Sequence, residues 1–285
     1  MLRRIGPREF DFSRQVAVMA IVNRTPDSFY DQGRTDALDL AVAAAVAAID
    51  AGADWIDIGG AKFAPGPPIP VAEEIDRVVP VVAALAQSGV VISVDTFHAT
   101  VAREALAAGA HVINDTTGVR DPAMADVVAD AGASIVITHS AAPPRQPFPS
   151  PRYDDVVGEV VAFLRERVSL AEARGVASDR IIVDPGHDLN KHTLDSLELT
   201  RRLGEVVDLG YPTLVALSNK DFVGESLGRR DRHQRVEGSL AAAVYAVLQG
   251  ARIVRVHNVR ETVDAMRMIE AIEGWREPAF LEHNQ

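Results

Sequence analysis

Short apolar runs alternate with longer amphipathic segments along this chain, and each apolar run ends in polar residues. Runs rich in β-branched residues are typical of strands buried on both faces, as in a parallel sheet. Strands are predicted at residues 16–22, 55–58, 90–94, 111–113, 134–138, 181–183, 213–217 and 252–256. Helices are predicted near residues 37–51, from 71 onward, and near 98–108, 121–131, 154–174, 192–203, 221–227, 235–249 and 260–273. Eight strands alternating with helices predict an α/β fold, a single-domain TIM (β/α)8 barrel.

The pattern divides the chain into an N-terminal lead of residues 1–15 and one barrel of residues 16–285. The lead is short, and disorder is one expectation for it. A barrel of this kind typically takes about 250 residues as one unit. A doubly wound open sheet is the alternative fold, but the sequence has neither a Gly-x-Gly-x-x-Gly nor a P-loop motif to support it.

Composition narrows the classes of function. The 285 residues include 29 Lys and Arg against 40 Asp and Glu, which gives a net charge of −11. Such a surface repels nucleic acid and anionic membranes, so neither is expected as a partner. The chain has no cysteine, which excludes disulfides and thiolate metal sites. Its charged start and the lack of a long apolar run predict a cytoplasmic protein.

Three polar residues, Asp95, Asn114 and Asp184, stand at the ends of predicted strands. The carboxyl ends of barrel strands meet at one rim, where barrel enzymes carry their chemistry, so these side chains should converge. Two carboxylates with a carboxamide suit a flat heterocycle with adjacent N–H donors, such as an amino-oxo-pyrimidine ring. The alternative for each residue is a helix cap or a loop contact.

A group of cationic and imidazole side chains closes the last two strands. Lys220 follows strand seven, and Arg255 and His257 end strand eight. This side of a barrel commonly binds phosphate, so the group predicts an anion site, with a forked contact from Arg255. The alternative is that Arg255 pairs with a carboxylate inside the barrel, such as Asp57.

The remaining histidines give weaker signals. His139, alone near a strand end, is interpreted as structural. The spacing of His187, Asp188 and His192 fits no closed zinc set, and a zinc site is rejected. Solvated positions are expected for His98, His233 and His283.

Seven segments, in the same order and at similar spacings, resemble the motifs of dihydropteroate synthases. They are IVNRTPDSFYDQG, DIGG, SVDT, INDTTG, DPGHDLNK, ALSNKDFVG and RVHNV, and the resemblance covers about residues 16–273. It implies a TIM barrel of folate biosynthesis that condenses 6-hydroxymethyl-7,8-dihydropterin diphosphate with 4-aminobenzoate. It also implies Mg2+ beside the diphosphate, competition by sulfonamides for the aminobenzoate position, and a homodimer.

The resemblance also implies roles for individual residues. The pterin-binding set is Asp95, Asn114, Asp184 and Lys220, and the aminobenzoate side is Pro65, Leu189 and Ser218. The diphosphate contacts are Asn23, Arg255 and His257, with Asn23 also the Mg2+ ligand. The residues implied to act in catalysis are Lys220, Arg255 and His257.

The chain departs from the family at several of these motifs. The family's DIGGESTRPG is DIGGAKFAPG here, so Ala61, Phe63 and Ala64 replace a glutamate, a hydroxyl residue and an arginine. DPGFGFGK becomes DPGHDLNK, SRK becomes SNK, and RVHD becomes RVHN. One well-placed donor to developing charge is typically worth about 10²- to 10³-fold in rate, and two arginines and a hydroxyl are missing. Unless Lys62 or Arg24 compensates for them, ordinary synthase activity is expected to fall below detection.

Three functions follow from these observations. The first is a synthase of the usual type with relocated basic residues, and the second is a non-catalytic or regulatory pterin-binding paralogue. The third is a methyltetrahydrofolate methyltransferase-like enzyme, which has no diphosphate to hold and is disfavoured by Lys220, Arg255 and His257. We expect pterin recognition to survive better than catalysis.

Overall fold

The computed structural model describes residues 1–24, 34–148 and 151–283. Its strands are β1 (Leu2–Ile5), β2 (Arg8–Asp11), β3 (Ala17–Asn23), β4 (Trp55–Gly59), β5 (Val91–Asp95), β6 (Val112–Asp115), β7 (Ser134–Thr138), β8 (Ile181–Asp184), β9 (Leu214–Val215) and β10 (Ile253–Val256). Its helices are α1 (Arg34–Asp50), α2 (Val71–Leu85), α3 (Ala99–Ala107), α4 (Ala123–Asp130), α5 (Val156–Ala173), α6 (Thr193–Arg201), α7 (Gly204–Val207), α8 (Asp221–Leu227), α9 (Val236–Leu248) and α10 (Val259–Ile272).

Strands β3 to β10 form one parallel sheet that closes on itself. The strand order is β8-β7-β6-β5-β4-β3-β10-β9. A bridge between Val183 and Thr213 links β8 to the segment just before β9. The prediction of a TIM barrel is therefore confirmed, and the alternative of an open, doubly wound sheet is wrong.

Alternation along the strands separates the barrel interior from the layer under the helices. Inward residues at the amino-terminal ends of the strands, such as Met19, Trp55 and Ile182, form one apolar cluster inside the barrel. Two residues further along, the inward positions become polar, as at Asp57 and Arg255. Because apolar side chains fill the lower interior, polar chemistry is confined to the carboxyl rim.

The lead of residues 1–15 is a folded part of the barrel, so the expectation of disorder is wrong. Strands β1 and β2 pair as an antiparallel hairpin. Phe10 stacks on Phe12 with ring centroids 5.5 Å apart and meets the edge of Trp55 at 5.8 Å. Ile5, Phe10 and Phe12 belong to the apolar cluster inside the barrel, so the hairpin plugs its amino-terminal end.

The observed boundaries differ from the predicted ones in ways that matter for the rim. Asn23, Asp95 and Asp184 are the last residues of their strands rather than the first loop residues, so hydrogen bonding to a neighbouring strand fixes their direction. The helix predicted at 192–203 corresponds to α6 and is followed by the short helix α7, which was not predicted, and the strand predicted at 213–217 is reduced to β9. The loop after Asn23 lies, from residue 25 to 33, outside the described residues. Within the described ranges, every helix is too short or too polar to cross a bilayer.

Candidate functional site

A buried network of charges lies just below the carboxyl rim. Arg255 donates from Nε to Oδ2 of Asp57 at 2.6 Å and from Nη2 to Oδ2 of Asp95 at 3.0 Å. The Ser93 hydroxyl donates to Oδ1 of Asp57 at 2.6 Å, and Asn114 Nδ2 donates to Oδ2 of Asp57 at 3.2 Å. Buried charges persist only when they are paired and hydrogen-bonded, which explains an arginine within a buried strand. The alternative in which Arg255 pairs with Asp57 is confirmed.

The three predicted pterin ligands face the interior at this rim. Asp95 and Asn114 are direct neighbours in the register of β5 and β6, and Asp184 ends β8. Asp184 Oδ1 accepts a hydrogen bond from the N–H of Gly186 at 2.7 Å. The charge of Arg255 acts on both carboxylates. Asn114 is 2% exposed, and its Oδ1 has no hydrogen-bond partner among the described residues.

Burial changes the protonation of these carboxyl groups. It raises the pKa of Asp95 to about 7, an effect that Arg255 opposes and that the nearby charge of Asp57 reinforces. Burial also raises the pKa of Asp184, against the N–H of Gly186 and the charge of Lys220. Carboxyl groups with raised pKa values that face one interior rim are typical of ligand sites.

The predicted catalytic residues meet at the same rim, but they supply less positive charge than expected. Lys220 Nζ donates to the carbonyl of His187 at 3.1 Å, and burial lowers the pKa of Lys220. The Ser218 hydroxyl lies 3.2 Å from Nδ1 of His257. Desolvation of its ring, together with the charges of Arg255 and Lys220, lowers the pKa of His257 to about 4. His257 is therefore neutral at pH 7.

Asn23 ends β3 beside Gly59, and its Oδ1 lies 3.1 Å from where a Cβ would stand on Gly59. The absent side chain of Gly59 leaves that space to the carboxamide. No group of three or more His, Asp or Glu side chains that could hold a metal occurs within the described ranges. Mg2+ usually keeps several waters and takes one or two protein ligands together with substrate phosphates. Asn23 therefore fits a Mg2+ that arrives with a diphosphate.

The two residues expected to compensate for the missing arginines belong to other contacts. Arg24 is buried, and its Nη1 donates to the carbonyls of Asp76 at 2.9 Å and Arg77 at 2.7 Å, both in α2. Lys62 is exposed in the second loop, which is the connection between β4 and α2 (residues 60–70), and its carbonyl accepts from Arg145 Nη1 at 3.1 Å. The Arg24 guanidinium is therefore held against α2, whereas the Lys62 contact involves only its backbone carbonyl.

Arg145, in the connection between β7 and α5, fastens the second loop. Its guanidinium donates to the carbonyls of Lys62, Ala64 and Pro67, the last from both Nε and Nη2. Gly66 makes this approach possible, because a Cβ there would lie 2.5 Å from Nη2 of Arg145. Pro65, predicted on the aminobenzoate side, is exposed in this loop. Sequence reasoning missed Arg145, since nothing around it in the chain indicates a partner about 80 residues away.

Lys191 organises the loop between β8 and α6. Its buried Nζ bonds Nδ1 of His139 at 2.8 Å and the carbonyls of Gly186 at 2.8 Å and Leu189 at 3.1 Å. Burial lowers the pKa of Lys191 to about 7. His139 is thus a buried structural residue, as predicted. Lys191, the last residue of the DPGHDLNK motif, positions Leu189, a role that the sequence analysis did not predict.

Two other histidines differ in their surroundings. His98 is not solvated as expected, because its Nδ1 lies 2.8 Å from Oε2 of the buried Glu74, and this hydrogen bond raises the pKa of His98. His187 is buried against Phe222 with ring centroids 6.0 Å apart, and its ring nitrogens have no partner within the described ranges. His233 and His283 are exposed, as expected.

Comparison with known proteins assigns the family that the barrel and its rim point to. Residues 19–257 match the family described as "Pterin binding enzyme". The chain therefore belongs to this family of pterin binding enzymes. Within it, the chain is a divergent, dihydropteroate synthase-like member, and the resemblance seen in the motifs is confirmed.

Individual relatives refine this placement. The chain is 46% identical over 268 residues to "Inactive dihydropteroate synthase 2" of Mycobacterium leprae, with 92% of each protein covered. It is 41% identical over 256 residues to the dihydropteroate synthase of Escherichia coli K12, covering 89% of this chain and 90% of that protein. The Xanthomonas albilineans dihydropteroate synthase with 4-aminobenzoic acid superimposes with a TM-score of 0.89 at 42% identity, over 96% of this chain and 99% of the other. A second structure of that enzyme holds 7,8-dihydropteroate and gives a TM-score of 0.86 at 41% identity, with the same coverage.

Proposed function

We propose that this protein binds a reduced pterin at the rim of the barrel and that its dihydropteroate synthase activity is far below that of active relatives, or lost. Both active synthases and proteins named inactive are among its relatives. In this proposal the pterin is held by Asp95, Asn114 and Asp184, with Lys220 beside the ring.

The observation that carries pterin binding is the unpartnered oxygen of Asn114. A buried acceptor without a donor costs about 1–3 kcal/mol, so such a group in a folded protein calls for an explanation. A pterin ring offers the N–H donors that this oxygen and the neighbouring carboxylates of Asp95 and Asp184 accept. Three acceptors on one inward rim are complementary to that edge of a pterin.

The weakness of catalysis follows from the charges at the rim. In the synthase reaction the arylamine attacks the methylene carbon of the pterin while the diphosphate leaves, so the protein must position both substrates and stabilise the departing charge. Asn23 would hold a Mg2+ that arrives with the diphosphate, and such an ion would supply part of that stabilisation. Arg255 is committed to Asp57 and Asp95, and His257 is neutral at pH 7. The diphosphate therefore meets few cationic donors among the described residues.

Calorimetry and a synthase assay test the two parts separately. We expect 6-hydroxymethyl-7,8-dihydropterin to bind, and Asn114→Leu to weaken its binding at least tenfold. Adding diphosphate and Mg2+ should improve binding little. Transfer of labelled 4-aminobenzoate into pteroate should be slower than in an active synthase by about 10²-fold or more, as expected from lost donors. A normal rate would refute the loss of catalysis, and no pterin binding would refute the pterin site.

We also propose that the protein forms a homodimer through α9 and α10. These two helices pack against each other. They expose four large apolar side chains, namely Tyr245 (44%), Leu248 (53%), Met268 (57%) and Ile272 (63%). Large apolar side chains exposed on two neighbouring helices are candidates for an interaction surface, and symmetric dimers are the commonest oligomers.

A further inference from the structure

The carboxylate of Asp188 is fixed beside Lys220, at the start of α8. Its Oδ2 accepts from the backbone N–H of Asp221 at 2.6 Å and of Phe222 at 3.3 Å. Its Oδ1 accepts from the Ser196 hydroxyl at 3.1 Å. The residue holds a φ of 61°, a left-handed conformation that favours glycine but that Asp and Asn tolerate. Three hydrogen bonds thus hold a negative charge in one place.

The negative charge of Asp188 lies at a position where this chain departs from the dihydropteroate synthase motifs. Asp188 stands at a glycine position of DPGFGFGK, and Asn219 stands at the arginine of SRK. One negative charge is gained and one positive charge is lost, both next to Lys220. The aminobenzoate side of the rim is therefore markedly more negative than the motifs alone would predict.

Two cations beside the start of α8, Lys220 and Arg235, do not offset this change. Lys220 Nζ is bonded to the carbonyl of His187, and its charge interacts first with the carboxylates of Asp188 and Asp184. Arg235 is buried, and its guanidinium is taken up by the carbonyls of Asn219 and Lys220 and by the carboxylate of Asp221. Neither side chain is a spare cation for a carboxylate brought in by a ligand.

We infer that Asp188 determines specificity by disfavouring a carboxylate on the second ligand, so that the rim beside Lys220 takes a neutral arylamine in preference to 4-aminobenzoate. This inference rests on the proposed pterin site, since the aryl position is defined next to the ring. A carboxylate about 6 Å from Asp188 meets a repulsion that corresponds to roughly a tenfold loss of affinity at a partly solvated rim. A carboxamide of the same shape meets none.

The test compares 4-aminobenzoate with its neutral isostere 4-aminobenzamide by isothermal calorimetry. Each is titrated into protein saturated with 6-hydroxymethyl-7,8-dihydropterin. The wild-type protein is expected to bind the amide about tenfold more tightly than the acid. Asp188→Asn keeps the shape, the left-handed backbone and the acceptor oxygen, and should raise the affinity for the acid about tenfold while leaving the amide unchanged. Asp208→Asn, an exposed acid elsewhere on the surface, is the matched control and should change neither affinity.

Each result decides the inference. A wild-type protein that prefers the acid, an Asp188→Asn variant with an unchanged ratio, or a protein and variant that bind neither compound overturns it. Binding of the acid by the variant alone supports it. Failure of the pterin to bind would contradict the proposed function instead of this inference. The affinities for 4-aminobenzoate and 4-aminobenzamide would then be compared on the protein without pterin.

Discussion

At the scale of single residues, the site depends on which charges are already paired. Arg255, the predicted anion ligand, is the penultimate residue of β10, and its guanidinium lies between Asp57, which is fully buried, and Asp95. Removing one partner from a buried ion pair leaves an uncompensated charge, whereas removing an unpaired rim arginine changes stability little. An Arg255 variant should therefore be strongly destabilised if the arginine pairs with these carboxylates, and little changed in stability if the arginine is an unpaired anion ligand.

Replacing Arg255 with Met should lower the free energy of unfolding by about 3–5 kcal/mol at pH 8, measured by urea denaturation. The loss should be smaller at pH 5, because Asp95, with a pKa of about 7, is then protonated and needs no cation. Arg152→Met, an exposed residue, is the control and should change stability by about 0.5 kcal/mol or less. An equally stable Arg255→Met protein would show that the arginine is not needed by these carboxylates.

The carboxyl group of Asp95 should also make pterin binding depend on pH. The pKa of Asp95 in the free protein is about 7, and only the ionised form accepts an N–H from the ring with full strength. Affinity should therefore be level above pH 7.5 and fall by up to about tenfold per pH unit below 7. In Asp95→Asn, calorimetry between pH 5 and 8 should show weaker binding with a flat profile. A slope that persists in this variant would assign the titration to another group.

At the scale of elements, the pattern of apolar runs was enough to place eight strands and their order, because parallel strands buried on both faces leave a clear signal. The lead was different. Strands β1 and β2 have four residues each, too short for alternation to separate them from a coil, and their apolar residues gain a partner only inside the barrel. Likewise, the directions of Asp95 and Asp184 were predictable from the strand ends, but the contacts of Arg145 and Asp188 join distant loops.

The hairpin predicts a large effect of one side chain in the lead. Phe10 is 1% exposed and touches Phe12 and Trp55, so Phe10→Ala leaves a cavity at the amino-terminal end of the barrel. The free energy of unfolding should fall by about 3–5 kcal/mol. Leu2→Ala in the neighbouring strand, where Leu2 is 61% exposed, is the matched control and should have almost no effect. Equal effects of the two variants would mean that the hairpin is not packed into the barrel.

Loss of the Arg145 side chain should loosen the second loop without lowering the stability of the whole protein. Arg145 holds this loop through carbonyls of Lys62, Ala64 and Pro67, and its side-chain hydrogen bonds within the described ranges all go to this loop. Arg145→Ala should therefore speed hydrogen exchange in residues 61–70 while the thermal midpoint stays within about 2 °C. Arg152→Ala, in the same connection before α5, should leave exchange in the loop unchanged. Unaltered exchange in Arg145→Ala would mean that other contacts hold the loop.

At the scale of the whole molecule, the amino-terminal half of the barrel interior is filled by apolar side chains, while the carboxyl half holds charged ones. The amino-terminal end is filled by the hairpin and the apolar layer, so its residues act on stability. The carboxyl rim carries the buried network and the departures from the family motifs, so its residues act on ligands. Because the fold is kept while the rim residues differ, pterin binding and catalysis can be lost independently of each other.

The outer surface adds a prediction about assembly. The chain carries a net charge of −11, so two copies repel each other unless they bury apolar area. The side chains of Tyr245, Leu248, Met268 and Ile272 provide such an area on adjacent helices. Sedimentation equilibrium should then give twice the chain mass of 30.6 kDa, with tighter association at higher salt because screening weakens the repulsion.

Two variants separate this surface from apolar exposure in general. Leu248→Arg places a cation within the patch, and it should shift the protein to the monomer without changing its circular dichroism. Leu194→Arg places the same charge at a leucine of α6 that is 77% exposed, and it should leave the dimer intact. A monomer in the unaltered protein, or a dimer that survives in Leu248→Arg, would exclude α9 as the interface. Since a symmetric interface presents each substitution twice, a single arginine on α9 should be enough to decide the question.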